Sequence, residues 1–513
     1  MEVLEFLGNG FAIAFQWHNL LFALVGVIIG TSVGVLPGIG PMSGVALLVP
    51  ITTSVTGSLS PEEAATASII MLAGVYYGAM YGGSATSILI NTPGESASVV
   101  TTIDGYQMAK KGKAGEALAI SAIGSFIAGI LALIGLILLA KPLSEWAIKF
   151  GPAEYTALII LGLATVSGLA GKSMTKALLM AVLGLLISTI GVDSISGVAR
   201  FTFDQPILYQ GIEFLTLAVG LFAIGEVLGT ILERDTNNSS IQKINRLLPS
   251  KQELKTSTLP MLRGSFIGFF VGLLPGAGAS IASFFSYSAE KSLSKDKVKF
   301  GNGAIEGVAG PEAANNAASG GSLIPMLTLG IPGSATTAIM MGALMMYNVQ
   351  PGPLLFEKHP QVAWGLIASM FIGNVLLLIL NLPLIKVFAK IISTPAKYML
   401  PIIIAISFFG VYAVQVNTFD LFLLVGCGVA GYFLSKNDFP LAPIILGLIL
   451  GPMLENNFRR ALTNTNGDYM IFIERPLSLI LLILAIVWIA YPLIKNVPIR
   501  KKKANQANES INK

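Results

Sequence analysis

The sequence predicts an all-α polytopic membrane protein of two inverted structural repeats with broken or re-entrant helices, about 12–14 membrane segments in all. Three observations carry that expectation. The 513-residue chain is 54% hydrophobic and only 12% charged, with a mean hydropathy of +0.75, against roughly 25% charged residues in soluble domains. Apolar runs of 14–21 residues, against the roughly 20 that cross a bilayer, recur along it. The clearest lie at 121–140, 155–170, 177–190, 214–232, 362–382, 399–414, 419–434 and 477–494. Two glycine-proline motifs also occur twice, in the same order and at nearly the same separation, the pattern of a duplicated unit.

In chain order, the first motif is Gly34-Val35-Leu36-Pro37-Gly38-Ile39-Gly40, matched 238 residues later by Gly272-Leu273-Leu274-Pro275-Gly276-Ala277-Gly278. The second is Gly82-Gly83-Ser84 with Thr92-Pro93-Gly94, matched after 238 and 239 residues by Gly320-Gly321-Ser322 and Ile331-Pro332-Gly333. Pro152-Ala153-Glu154-Tyr155 is echoed 243 residues on by Pro395-Ala396-Lys397-Tyr398. These offsets predict a first membrane repeat at 1–235, a polar linker at 236–258 and a second repeat at 259–470. An extra helix and a basic cytoplasmic tail follow at 471–513.

Loop charge predicts the inversion. Val55-Thr56-Gly57-Ser58-Leu59-Ser60-Pro61-Glu62-Glu63 has no basic residue, whereas its counterpart, residues 290–299, has four lysines. One loop later the asymmetry reverses, Lys110-Lys111-Gly112-Lys113 standing against Glu357-Lys358-His359. Basic loops stay cytoplasmic, so equivalent loops are expected on opposite sides. Arg459-Arg460 falls on the outer side in this scheme and runs against it.

Composition also excludes other chemistry. The single cysteine, Cys427, allows no disulfide framework. With only His18 and His359, no cluster has metal-ligand spacing and no bound metal or catalytic group is expected. No P-loop or His-Glu-x-x-His pattern is present, so neither ATP hydrolysis nor a zinc protease is expected. The start Met1-Glu2-Val3-Leu4-Glu5 lacks the basic region of a cleaved signal peptide. The net charge of +5 is read as cytoplasmic loops facing anionic lipid, not as a nucleic-acid surface.

The duplicated motifs carry the expected chemistry. Within a bilayer, backbone groups freed by a helix break need partners inside the protein, and half-helix N-termini suit carboxylates. Residues 83–103 and 306–356 contain no Lys or Arg, so an anion there is expected on hydroxyls, amides and backbone N–H groups. The substrate-lining set expected in the first half is Gly38, Gly40, Ser84, Thr86, Asn91, Thr92, Pro93, Gly94 and Ser96. In the second half it is Gly276, Gly278, Ser280, Asn315, Asn316, Ser319, Ser322, Pro332, Gly333, Ser334 and Thr336. Freed carbonyls at the opposite ends suit Na⁺.

Weaker candidates are read more plainly. Glu226 is an intramembrane carboxylate and a proton or cation site by default, or an interfacial residue near Glu233. Glu306 and Glu312 are read as solvated loop positions sooner than ion ligands. Asp193, Asp204, Asp420 and Asp438 border apolar runs and read as interfacial, as does His18 beside Trp17. Met340-Met341 and Met345-Met346 read as helix packing.

At these motifs the chain resembles the large membrane subunit of the tripartite tricarboxylate transporters, the TctA family. The residues that carry the resemblance are 34–40, 81–94, 272–278 and the block Gly307-Val308-Ala309-Gly310-Pro311-Glu312-Ala313-Ala314-Asn315-Asn316-Ala317 on to Thr337. Tyr347-Asn348-Val349-Gln350-Pro351-Gly352-Pro353 also fits. The resemblance implies a multi-pass prokaryotic inner-membrane secondary transporter that imports di- or tricarboxylates by alternating access, coupled to Na⁺ or H⁺. It further implies a small membrane subunit and a periplasmic solute-binding protein as partners. The alternatives are a stand-alone organic-anion carrier or a channel.

Overall fold

The structure, a computed structural model, describes residues 2–36, 40–57, 59–169, 173–193, 195–232, 248–276, 278–392 and 396–495. It is 81% helical, and the one sheet among the described residues is a two-residue hairpin pairing Gly191–Val192 with Ala199–Arg200. The all-α expectation therefore holds. The first half runs α1 (Glu2–Ala14), α2 (Trp17–Gly34), α3 (Pro41–Thr56), α4 (Pro61–Ile90), α5 (Val99–Lys110), α6 (Ala114–Ala147), α7 (Pro152–Leu169) and α8 (Met174–Ser188). After the hairpin come α9 (Phe214–Ala218), a π-helical stretch at Val219–Ile224 and α10 (Gly225–Leu232). The second half runs α11 (Lys251–Leu273), α12 (Gly278–Leu293), α13 (Glu306–Gly321), α14 (Leu323–Leu329), α15 (Ala335–Met346) and α16 (Leu355–Lys358). It continues with α17 (Pro360–Ile392), α18 (Ala396–Gln415), α19 (Thr418–Lys436), α20 (Ala442–Asn464), α21 (Ile471–Glu474) and α22 (Pro476–Lys495).

Six helices among the described residues are long and apolar enough to cross a membrane. They are Trp17–Gly34, Pro61–Ile90, Ala114–Ala147, Phe214–Leu232, Pro360–Asn381 and Thr418–Lys436, joined by shorter apolar helices of 10–17 residues. Large apolar side chains such as Phe266, Phe270, Phe409, Phe422 and Ile486 are exposed on the outer faces. A surface of this kind is at home in lipid, not water.

Helix starts follow local chemistry. Ser60 opens α4: its Oγ accepts from the Glu63 N–H at 3.4 Å, and its own N–H donates to Glu63 Oε2 at 3.1 Å. This reciprocal cap, with Pro61 at the first helical position, satisfies donors that a helix start otherwise leaves open. Ser250 and Glu253 open α11 in the same way, so α11 begins inside the stretch read as linker.

The closest packing is duplicated. Gly26, Gly30 and Gly34 of α2 lie against the backbone of Met71, Val75 and Ala79 of α4. Gly264, Gly268 and Gly272 of α11 lie in the same way against Gly310, Ala314 and Ala318 of α13. A Cβ at Gly30 would stand 2.5 Å from Val75 Cα, and one at Gly268 would stand 2.7 Å from Ala314 Cα. Small residues at four-residue spacing let apolar helices approach to backbone contact, which replaces the hydrophobic driving force absent in lipid.

Two groups of loops mark opposite ends of α4. At its N-terminal end, the Tyr347 hydroxyl lies 3.0 Å from Thr56 Oγ1 and 2.8 Å from Ser68 Oγ, and His359 approaches Glu62 at 3.8 Å. At its C-terminal end, Ile88, Leu89 and Ile90 pack with Met108 and Ala109 of α5. Beside them, Asp104 Oδ1 accepts from the N–H groups of Gly301, Gly303 and Ala304 at 2.7–2.9 Å. Lys111 donates to the Asn302 carbonyl at 2.5 Å, and Lys113 pairs with Glu253 at 2.9 Å. Thirty residues of helix at 1.5 Å each separate the two groups by about 45 Å.

Candidate functional site

The paired Pro-Gly breaks share one backbone design. α4 ends at Asn91 (φ 58°) and α14 at Gly330 (φ 70°), both left-handed and 239 residues apart. Asparagine and glycine are the residues that tolerate this C-terminal cap. Next, Gly94 packs with Gly83, and Gly333 packs with Ser322. A Cβ would sit 2.6 Å from Gly83 Cα in the first case and 2.5 Å from the Ser322 carbonyl in the second. Only glycine fits either position. The chain then re-enters helix through Glu95 (φ −149°, ψ 165°) and Ser334 (φ −149°, ψ 167°). The Glu95 N–H donates to Ser98 Oγ at 3.4 Å, and the Ser334 N–H donates to Thr337 Oγ1 at 2.8 Å.

The halves differ upstream of the breaks. Gly82-Gly83-Ser84, read as part of an interruption, lies inside the unbroken helix α4. Its second-half counterpart does interrupt, since α13 stops at Gly321 and α14 starts at Leu323. The first patch is kept small by close neighbours: a Cβ at Gly82 would stand 2.7 Å from the Val35 nitrogen, and one at Gly83 would stand 2.8 Å from Glu95 Cγ.

Between the breaks lies a sealed polar cluster. Glu312 of α13 has no exposure. Its carboxyl oxygens accept from the hydroxyls of Ser84 on α4, Thr101 on α5 and Ser121 on α6, the last at 3.0 Å. Asn315 Nδ2 donates to Glu95 Oε1 at 2.8 Å, and Asn316 Nδ2 donates to Ser125 Oγ at 2.6 Å. The Tyr76 hydroxyl lies 3.3 Å from both Ser322 Oγ and Ser334 Oγ, touching the second-half break from α4. Ser96 and Ser280 meet at 2.7 Å, so the first break also touches α12.

Four buried polar atoms of α4 and α13 have no partner: the hydroxyls of Tyr77 and Tyr81 and the side-chain oxygens of Asn315 and Asn316. A buried polar group left unsatisfied costs about 1–3 kcal/mol, so each of these atoms has capacity for a further hydrogen bond. Among the described residues the ion pairs lie elsewhere, as Arg263–Glu290, Lys299–Glu306, Lys113–Glu253 and Arg459–Asp193. At the α8–α9 hairpin, hydrogen bonds from the Ser196 hydroxyl and the Arg459 guanidinium hold Asp193 well below the usual carboxylate range. A groove of about 420 Å³ lined by Thr156, Leu185, Ser188 and Glu455 is separate from this cluster.

The structure brings Ser84, Asn315, Asn316, Ser322 and Ser334 into the cluster, and Ser319 adds a buried hydroxyl donated to the Asn315 carbonyl at 3.1 Å. Thr86 is buried but donates to the Gly83 carbonyl at 2.9 Å. Thr336 is buried, and Thr92 is half-buried and donates to the Ile90 carbonyl at 3.4 Å. Pro332 is buried, Pro93 half-buried and Asn91 exposed. Gly276 and Gly278 have positive φ (80° and 66°), and the Gly276 N–H donates to the Gly333 carbonyl at 2.9 Å, which docks the Leu-Pro-Gly loop on the break. Gly40 precedes α3 with open space where a Cβ would be, and Gly38 lies outside the described residues.

One expectation needs correction. Glu312, read as a solvated loop residue, stands inside α13 with no exposure, because the small residues around it let α4, α5 and α6 close over it. Glu306, read alike, is paired with Lys299 at 2.5 Å. Sequence reasoning also missed Glu95, Thr101, Ser121, Ser125 and the tyrosines of α4. A signal was available for the carboxylates: Glu95 and Glu312 fall in 83–103 and 306–356, stretches that have no Lys or Arg and carry the paired Pro-Gly breaks.

Long apolar helices and a buried polar cluster define a polytopic all-α membrane protein. The model of the "Tripartite tricarboxylate transporter TctA family" matches residues 20–446, and the chain belongs to that family. An "Uncharacterized 52.8 kDa protein in TAR-I ttuC' 3'region" of Agrobacterium vitis is 45% identical over 503 residues, 98% of this chain and 99% of that protein. An "Uncharacterized protein in TAR-II ttuC' 3'region" of the same organism is 44% identical over 230 residues, 45% of this chain and 95% of that protein. No solved structure matches the chain.

Proposed function

We propose that the chain is the large membrane subunit of a binding-protein-dependent secondary transporter. It imports di- or tricarboxylates across a prokaryotic plasma membrane by cation-coupled alternating access, with a small membrane subunit and an extracytoplasmic binding protein as partners. The observation that carries this reading is the pair of matched breaks, capped alike at Glu95 and Ser334, around a sealed cluster of hydroxyls, amides and the carboxyls of Glu95 and Glu312. Broken helices meeting near the middle of a bundle are how carriers hold a substrate and its coupling ion. Burial of Ser84, Asn315 and Ser319 favours an occluding carrier over an open pore.

The anion is held in this reading by hydroxyls and backbone N–H groups at Thr92, Ser96, Ser334 and Thr336. Removing one such hydroxyl is expected to weaken apparent affinity by about 1.5–3 kcal/mol, the worth of a hydrogen bond to a charged group. Neutralising Lys110, Lys295 or Lys358 is expected to change it little. Uptake by reconstituted vesicles over a range of succinate and citrate concentrations decides. One inactive lysine variant beside wild-type behaviour in every hydroxyl variant would show that a side-chain cation holds the anion.

The same reading includes two inverted repeats. The loop before α4 stands by Tyr347 and His359, whereas residues 301–304, directly after its counterpart at 290–299, stand by Asp104 and Lys111 at the far end of α4. Arg459, one of the two arginines that ran against this arrangement, is paired with Asp193 at 2.7 Å and with Glu455, which Arg200 shares, at 2.6 Å. Cysteines at Ser60 and Val298, in a Cys427→Ser background, are expected to react with an impermeant maleimide from opposite sides. Reaction of both from the same side means parallel repeats.

A further inference from the structure

We infer that Glu312 is the carboxyl that loads and releases the coupling proton, an assignment that rests on the transport reading above. Its side chain projects from a second-half helix, yet all three hydroxyls that bind it come from first-half helices. A change in its protonation therefore acts directly on the contact between the halves. Ser84 Oγ also lies 3.1 Å from the Met80 carbonyl, so its proton has two acceptors. When Glu312 is ionised, Ser84 donates to it. When Glu312 is protonated, its O–H donates to Ser84 Oγ and the serine turns its own proton to Met80. One set of heavy-atom positions serves both states.

Among the described residues no cation bonds Glu312. The titratable and charged groups on the elements packed against α13 include Tyr76, Tyr77 and Tyr81 of α4, Glu95 of the first break, Asp104 of α5, Glu116 of α6, Arg263 of α11, and Tyr287 and Glu290 of α12, while Lys110, Lys141, Lys251, Lys255 and Lys291 stand toward the ends of these helices. Arg263 is taken up by both oxygens of Glu290, at 2.8 and 2.5 Å. Asp104 is taken up by backbone N–H groups and by the Tyr287 hydroxyl at 2.9 Å. Carrying a bare carboxylate through an apolar barrier costs far more than carrying the neutral acid. A buried hydroxyl without a partner, that of Tyr81, stands by the site as well.

A proton needs only the carboxyl and one hydroxyl that can turn from donor to acceptor, and Ser84, set between Glu312 and the Met80 carbonyl, supplies it. On the outward-open side a proton from water bonds to a Glu312 oxygen. On the inward-open side that O–H bond breaks, the electron pair stays on oxygen and the proton leaves to water.

The test uses the full complex in vesicles, with succinate and citrate as probes. Wild-type accumulation is expected to follow an inside-alkaline pH gradient. E312Q is expected to lose gradient-driven accumulation by roughly 50-fold while exchange of internal for external probe stays within about threefold, since only net proton movement is blocked. Glu306→Gln, outside the cluster, is expected to match wild type. If E312Q does not assemble, Thr101→Val serves: stripping one donor from the ionised carboxyl raises its hold on the proton and moves the pH midpoint of uptake upward. Equal loss of exchange and accumulation in E312Q, or an unmoved midpoint in Thr101→Val, overturns the assignment. Wild-type uptake driven by a Na⁺ gradient and indifferent to pH overturns it alone. Wild-type uptake of neither probe overturns the transport reading, and this assignment with it.

Discussion

Gly268→Leu is expected to prevent assembly of the folded protein, whereas Gly8→Leu is expected to change nothing measurable. A side chain at position 268 begins within 2.7 Å of Ala314 Cα and against its carbonyl oxygen, and nothing lies within 4 Å of one at position 8. Backbone cannot yield as a flexible side chain does, so α11 and α13 must separate along their length, which also opens the Gly264 and Gly272 contacts. The cost is at least the upper end of that usual for overpacking, about 3 kcal/mol, a large share of total stability. Thermal unfolding followed by gel filtration in detergent measures it. A Gly268→Leu midpoint equal to wild type would show that this crossing is not what holds the half together.

Ser84→Leu is expected to abolish uptake in a protein that still assembles. The serine is buried, and its hydroxyl is one of the three that bind Glu312. Leucine removes that donor and fills the polar space beside it. Overpacking by a side chain that can adjust costs about 1–3 kcal/mol, which leaves most molecules folded, while the cluster loses both volume and a hydrogen bond to a charged group. Ser84→Ala keeps the volume and is expected to retain partial uptake, reduced by about tenfold to a hundredfold for a loss of 1.5–3 kcal/mol. Normal uptake by Ser84→Leu at normal expression removes this cluster from the transport path.

Much of the site was legible because its design is local. A left-handed cap needs Asn or Gly, a break needs Pro, and close approach needs Gly, and these residues recur 239 positions apart at Asn91 and Gly330, Pro93 and Pro332, Gly94 and Gly333. The role of the Gly82-Gly83-Ser84 patch was not legible. Small residues make a break or a close crossing equally well, and here the helix continues because Gly83 serves as the seat for Gly94.

Membership of the apolar helical class follows from the sequence itself, since a chain with so few charges has no soluble way to bury its surface. The order of its breaks follows as well, because backbone chemistry at glycine and proline acts within a few residues. The partners of the carboxylates were decided only by the tertiary structure. Glu312 meets Thr101, 211 residues away, and Glu95 meets Asn315, 220 residues away. From the sequence Glu312 read as a solvated loop position sooner than an ion ligand. The duplicated glycine stripes bring α2 onto α4 and α11 onto α13 at backbone distance, and packing of the two pairs buries that carboxyl among hydroxyls, a consequence of shape that no local pattern encodes.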